Sequence, residues 1–287
     1  MTRNPTVAGT FYESDFNKLN KQIEDCFYSK NGPGDLPVKR GTKKIQAVIV
    51  PHAGYPFSGP CAAWAYKEIA EAKLPDLFVV IGPNHHGNVS CVSLEEWKTP
   101  FGIVKVDRNF AESLIKNSGI KVNEENHSIE HSVEVQLPFL QYATRDIMTE
   151  VRILPILLSN DIDYKKFVKD FKKTLKDAKK EVVFIISSDF THYGSNYRYV
   201  PFSTDVEKRL KELDKGAIDI IKRLDGEAFA EYLNKTGITV CGYMPILFLT
   251  EVLNKENTSA SLLLYYTSGS LTGDFRNSVS YASILLK

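Results

Sequence analysis

The chain has 287 residues, 43% hydrophobic and 25% charged, which is enough apolar material for a large core within one domain over 1–287. Lys and Arg total 36 against 35 Asp and Glu, so the net charge of +1 offers no basic field to nucleic acid or anionic lipid. No apolar run approaches the roughly 20 residues that cross a bilayer, and no basic-then-apolar leader opens the chain; the expected location is cytoplasmic.

Val7-Ala8-Gly9-Thr10-Phe11-Tyr12 precedes a helix predicted over 15–28, where Leu19, Ile23 and Phe27 recur at fourfold spacing. Asn31-Gly32-Pro33-Gly34 and the basic run 39–44 read as a solvated surface connection. A strand over 45–50 runs into Pro51-His52-Ala53-Gly54-Tyr55; 54–59 reads as a loop and 61–72 as a helix. A second strand, 77–81, runs into Gly82-Pro83-Asn84-His85-His86-Gly87, and 89–94 and 102–106 are strand-like. A helix over 109–117 and the stretch 120–122 lead to an amphipathic segment over 128–142. Helical spacing places His127 and His131 on one face, and likewise Glu130 and Glu134, with Pro138 kinking or ending the first part.

A strand over 151–157, a lysine-rich helix over 164–178 and an apolar strand over 182–186 follow. That last strand ends in Ser187-Ser188-Asp189-Phe190-Thr191-His192-Tyr193-Gly194, where polar side chains project into a crevice. Helices over 205–224 and 226–234, another opened by Thr239-Val240-Cys241-Gly242, and strands over 262–266 and 279–285 complete the chain. The alternation argues for an α/β fold with a central mostly parallel or mixed sheet flanked by helices.

All six histidines fall in the 52, 85–86, 127–131 and 192 stretches, which we read as one site. Imidazoles and a thiolate suit iron, copper and zinc, so His52, His85 and Cys241 are the candidate ligands; the alternative for each histidine is a hydrogen bond to loop backbone. His192 with Asp189 suits a general acid or base whose tautomer a carboxylate orients, against a capping aspartate and a surface histidine. His131 and Glu134 either line the pocket or brace it, and Tyr55, His86 and Tyr193, from the same stretches, are expected to line the substrate pocket. A serine nucleophile at Ser187 or Ser188 beside His192 and Asp189 is the weaker reading, because residues so close in sequence seldom reach triad geometry. Gly-rich phosphate loops, H-E-x-x-H and G-x-S-x-G are absent, and the scattered Cys26, Cys61, Cys91 and Cys241 suggest no disulfide framework.

The motifs at 7–12, 50–55, 82–86, His131-Ser132-Val133-Glu134, 187–194, Cys241-Gly242 and Ser278-Val279-Ser280-Tyr281-Ala282 together resemble the Memo family almost end to end. The resemblance implies a fold similar to class III extradiol dioxygenases, which are non-haem iron enzymes, and a pocket holding His52, His85 and Cys241. Those dioxygenases use a carboxylate where this chain has Cys241, so ring cleavage does not carry over directly. The expectation is a redox metalloprotein with Fe(II) as the leading ion, copper as the second and zinc as an adventitious occupant. The alternative is a non-catalytic protein that uses the cavity for a peptide or small ligand. Microbial relatives of the family imply pathway partners of AMMECR and radical-SAM type.

Overall fold

A strand covered on both faces needs no polar side, and the continuous apolar runs of this chain become the middle of its sheet. The computed structural model describes residues 1–253 and 255–287. Its elements are β1 (Thr2–Arg3), α1 (Phe16–Tyr28), β2 (Ala47–Val50), α2 (Tyr55–Glu71), β3 (Leu77–Pro83), β4 (Cys91–Val92), β5 (Glu96–Thr99), β6 (Gly102–Val106) and α3 (Arg108–Ser118). Then come β7 (Lys121–Val122), α4 (Glu124–Ile129), α5 (Gln136–Ala143), β8 (Arg152–Leu158), α6 (Tyr164–Ala178), β9 (Val182–Ser187), β10 (His192–Gly194), α7 (Val206–Ile221) and α8 (Gly226–Thr236). The last are α9 (Tyr243–Val252), β11 (Ala260–Thr267), α10 (Ser268–Thr272) and β12 (Asn277–Leu286).

The strands form one mixed sheet in the order β1-β5-β6-β8-β3-β9-β2-β12-β10, with β11 beside β12, and with β4 on β8 and β7 on β4. Neighbours from β6 to β2 are parallel, and β12 turns antiparallel to β2. Alternation along each strand divides the core. Val48, Val50, Phe78, Val80 and Ile185 pack with α1, α2 and α5 on one face, while Ile49, Val79, Ile81, Phe184 and Ile186 pack with α3, α6, α7, α8 and α9 on the other. No helix among the described residues is long and apolar enough to cross a membrane.

Two local departures from the sequence reading have clear causes. Helix α2 begins at Tyr55, so residues 54–59 are not a loop: Pro56 occupies the first turn, where its missing N–H is an orphan anyway. The 128–142 segment is not one helix either, because the chain leaves α4 at Glu130, extended at φ −88 and ψ 136, and enters α5 only at Gln136. His127 and His131 therefore do not share a helical face. Pro138 lies in the first turn of α5 and kinks nothing, and the 89–94 run keeps only β4 as strand.

Candidate metal centre

Strands β3, β9 and β2 are adjacent and parallel, so their carboxyl ends open on one edge of the sheet, where α/β folds place their ligands. From those ends the chain delivers His85, Asp189 and His52, and the turn before α9 brings Cys241 against them. Two glycines make the approach feasible: a Cβ on Gly82 would collide with Ser132, and one on Gly242 with Ser188 and the Ser187 carbonyl.

His52, His85 and Cys241 each present one donor atom, and these atoms lie within 4.8 Å of one another. His52 Nε2 is 3.2 Å from Cys241 Sγ. Behind the site, His52 Nδ1 meets Ser187 Oγ at 2.8 Å and His85 Nδ1 donates to Glu130 Oε1 at 2.9 Å, which leaves both Nε2 atoms for the front. Burial, reinforced by the His131 and His85 rings, holds the His52 imidazolium well below its ordinary range, so the ring is the neutral species a cation needs. Burial and then the Asp189 charge push the Cys241 thiol well up, so a cation entering here would displace a thiol proton. Two imidazoles and one displaceable thiol thus fit a soft or borderline divalent ion.

Glu130 is the residue the sequence reading left without a role. Its buried carboxylate accepts from the His85 ring, from the His131 and Ser132 amides at 2.8 Å each, and from the His85 amide. With its lone pairs so engaged it is a bracket for His85 rather than a ligand, although it also lies close to His85 and His131. Burial alone would raise its pKa; the His85 N–H and the charges of His85 and His131 more than offset that and set it at about 2. His131 stacks on His85 with centroids 4.7 Å apart and planes at 15°, and burial takes its pKa down to about 4 against the pull of Glu130.

A cavity of about 600 Å³ lies over this floor, with Phe11, Phe57, Tyr197 and Tyr281 in its walls beside His52, His85, His131, Asp189 and His192. Four of the six histidines therefore converge. His127 is buried elsewhere, edge-on to Trp97 at 5.7 Å, and the His86 residue is exposed, its amide turned to Asn84 Oδ1.

Asp189 is no helix cap: its Oδ1 accepts the His52 amide at 2.9 Å, and burial raises its carboxyl. Nor does it orient His192, whose Nδ1 donates to the Thr239 carbonyl at 3.2 Å and whose ring packs edge-on to Tyr197 at 5.1 Å. Ser187 meets His52 instead of His192, and Ser188 donates to the Asp189 carbonyl, so no serine triad is assembled.

All four expected pocket residues, the exposed His86 among them, lie outside the cavity. Tyr55 is in the core with its hydroxyl on the Val135 carbonyl, and Tyr193 stacks on Phe202 and donates to the Phe202 carbonyl. Glu134 pairs with Arg3 at 2.6 Å. Tyr281, by contrast, belongs to the Ser278–Ala282 motif and shares a face of β12 with Val279, and both line the cavity.

Fold and site define an α/β protein whose sheet edge gathers a His-His-Cys donor set beneath an aromatic-walled cavity. A family profile described as Memo-like protein matches residues 3–285, and the chain belongs to the Memo-like family. It is 36% identical over 298 residues to a MEMO1 family protein of Methanococcus maripaludis, with all of both chains covered. A MEMO1 family protein of Saccharolobus islandicus is 38% identical over 291 residues, with 98% of each chain covered. Among solved structures, an uncharacterized protein from Escherichia coli K12 shares the fold at a TM-score of 0.50 and 13% identity, covering 84% of this chain and 99% of that one.

Proposed function

We propose that this protein is a metal-dependent redox enzyme in which His52, His85 and Cys241 hold iron(II) and the overlying cavity takes a small-molecule or peptide substrate. The observation that carries this reading is the meeting of three donors, from positions 52, 85 and 241, within 4.8 Å at the floor of a cavity of about 600 Å³. The thiol makes copper the second ion the set suits, with zinc as an adventitious occupant. A redox-active divalent ion there would supply Lewis acidity and one-electron chemistry.

The residues around it have separable tasks. His192 commits its Nδ1 proton to Thr239, which leaves Nε2 to take a proton from substrate or return it. His131, beside His85, faces the same space and orients the substrate. Asp189 holds the His52 backbone in place and stays close to Cys241 through its own amide, 3.2 Å from Sγ. The walls Phe11, Phe57 and Tyr281 exclude water from one side of the bound molecule.

A second reading is binding of a peptide or small ligand without turnover, and the aromatic walls Phe11, Phe57, Tyr197 and Tyr281 suit an apolar ligand surface. Oxygen uptake by the Fe(II)-loaded protein in the presence of ascorbate separates the two. Uptake in the wild type that disappears in His192→Ala at unchanged iron content supports the enzyme. Uptake no faster than that of free iron(II) supports the binding cavity.

A further inference from the structure

We propose that Ser187 and Gln136 are positioning residues that fix the tautomer of His52 and so decide which of its ring nitrogens faces the cation; the inference rests on the metal-binding reading above. His85 and His192 need no such device, because each Nδ1 faces an acceptor that has no proton to give, the Glu130 carboxylate and the Thr239 carbonyl. His52 Nδ1 faces a hydroxyl, which can donate or accept. Left to itself, that contact would permit either tautomer.

The neighbours remove the choice, and the roles follow from the atoms that cannot donate. The Pro51 carbonyl only accepts, so the Gln136 side-chain atom 2.9 Å from it is the amide nitrogen. That NH2 group also reaches Ser187 Oγ at 2.9 Å, while Tyr66 OH meets the Gln136 oxygen at 2.8 Å on the other side. The Ser132 carbonyl, 2.6 Å from Ser187 Oγ, likewise only accepts and takes the one hydroxyl proton. Ser187 Oγ then has only lone pairs left, one for Gln136 and one for His52. His52 Nδ1 must therefore carry the ring proton, and Nε2, 3.2 Å from Cys241 Sγ, carries the free pair. Tyr66, Ser132 and Ser187 are 0% exposed and Gln136 is 1% exposed, so no bulk water competes for these roles.

Without the Ser187 oxygen, Nδ1–H becomes a buried donor with no partner, and the ring does better with its proton on Nε2, donated toward Cys241. The hydrogen then sits where the cation should bind. The test compares wild type, Ser187→Ala and Ser187→Thr as metal-free full chains with nitrogen-15-labelled histidine, the His52 signals being assigned by their loss in His52→Gln. Long-range proton–nitrogen spectra should show Nδ1 protonated in the wild type and in the threonine variant, and Nε2 protonated in the alanine variant.

Titration of the same samples with Co(II) should show affinity falling roughly 10- to 100-fold in Ser187→Ala and recovering in Ser187→Thr. A wild-type His52 protonated on Nε2 overturns the proposal, and that spectrum decides it even if the alanine variant does not fold. A Ser187→Ala protein that loses affinity while His52 keeps its Nδ1 proton also overturns it, since the serine would then be merely structural. If the wild type has the stated tautomer and takes up no metal, the hydrogen-bond assignment is upheld and the metal-binding reading is the one that falls.

Discussion

Glu130 and Glu134 stand four residues apart, both 0% exposed, yet they serve different regions of the molecule. Glu130 belongs to the cavity floor, where its partners are the His85 and His131 imidazoles and backbone amides. Glu134 belongs to a latch for the N-terminal segment: it pairs with Arg3 and accepts from Tyr12 OH at 2.8 Å and from the Thr6 and Val7 amides at 2.8 and 2.9 Å. Arg3 completes the latch by donating to the His127 carbonyl at 2.6 Å and lying 4.1 Å over the Trp97 ring. The difference shows that burial of a carboxylate does not reveal its task. A fixed counter-charge marks the structural one, and imidazole partners mark the one at the cavity floor.

The largest effect should come from removing the latch. Arg3→Leu leaves Glu134 buried without its counter-charge and should cost about 3–5 kcal/mol in denaturant unfolding, with metal affinity of the folded protein unchanged. If affinity fell in step with stability, the division between the regions would be broken. Glu130→Gln should do the reverse in proportion. It should lose roughly 1–3 kcal/mol of stability, because one of several donors meets an amide instead of a carboxylate oxygen, but metal affinity should drop roughly 10- to 100-fold on titration with Co(II).

Acid sharpens the contrast, because each region holds a neutral histidine. Burial first of all takes His127 from 6.5 to about 3 and His131 from 6.5 to about 4. Between those values and 6.5 the unfolded chain binds more protons than the folded one. The stabilisation is therefore complete above pH 6.5 and is lost as pH falls toward 3, by about 1.4 kcal/mol per pH unit for each group. His127→Phe should remove the latch's share of this slope in unfolding measured from pH 7 to 4 and leave the share of His131. The smallest effect is assigned to Tyr55→Phe, which deletes the hydroxyl on the Val135 carbonyl. A loss of about 1 kcal/mol with unaltered metal binding is expected, and any change in binding would bring Tyr55 back to the cavity.

Much of this was legible before the structure, and the failures have physical reasons. Strands β2, β3 and β9 were readable because parallel strands are apolar on both faces, and the polar residues just past their ends had to lie at one edge. The start of α2 is hidden in the sequence because Gly54, Pro56, Gly59 and Pro60 carry turn chemistry, and only the packing of Gly59 against Cys26 of α1 shows why a helix wants a glycine there. Periodicity over 128–142 could not show that Glu130 collects the amides of His131 and Ser132, an arrangement that takes the backbone out of a helix. Tyr193 follows His192 on β10 and so turns to the opposite face, whereas Tyr55 opens α2 and is carried into the core.

The central claim is that His52, His85 and Cys241 together hold one cation. The most direct test is the metal content of anaerobically purified protein, measured by plasma mass spectrometry after dialysis, for the wild type and for His52→Ala, His85→Ala and Cys241→Ala. The account predicts about one redox-active ion per chain in the wild type and its loss in each variant that still folds. Folded single variants that keep full iron and copper occupancy would contradict it.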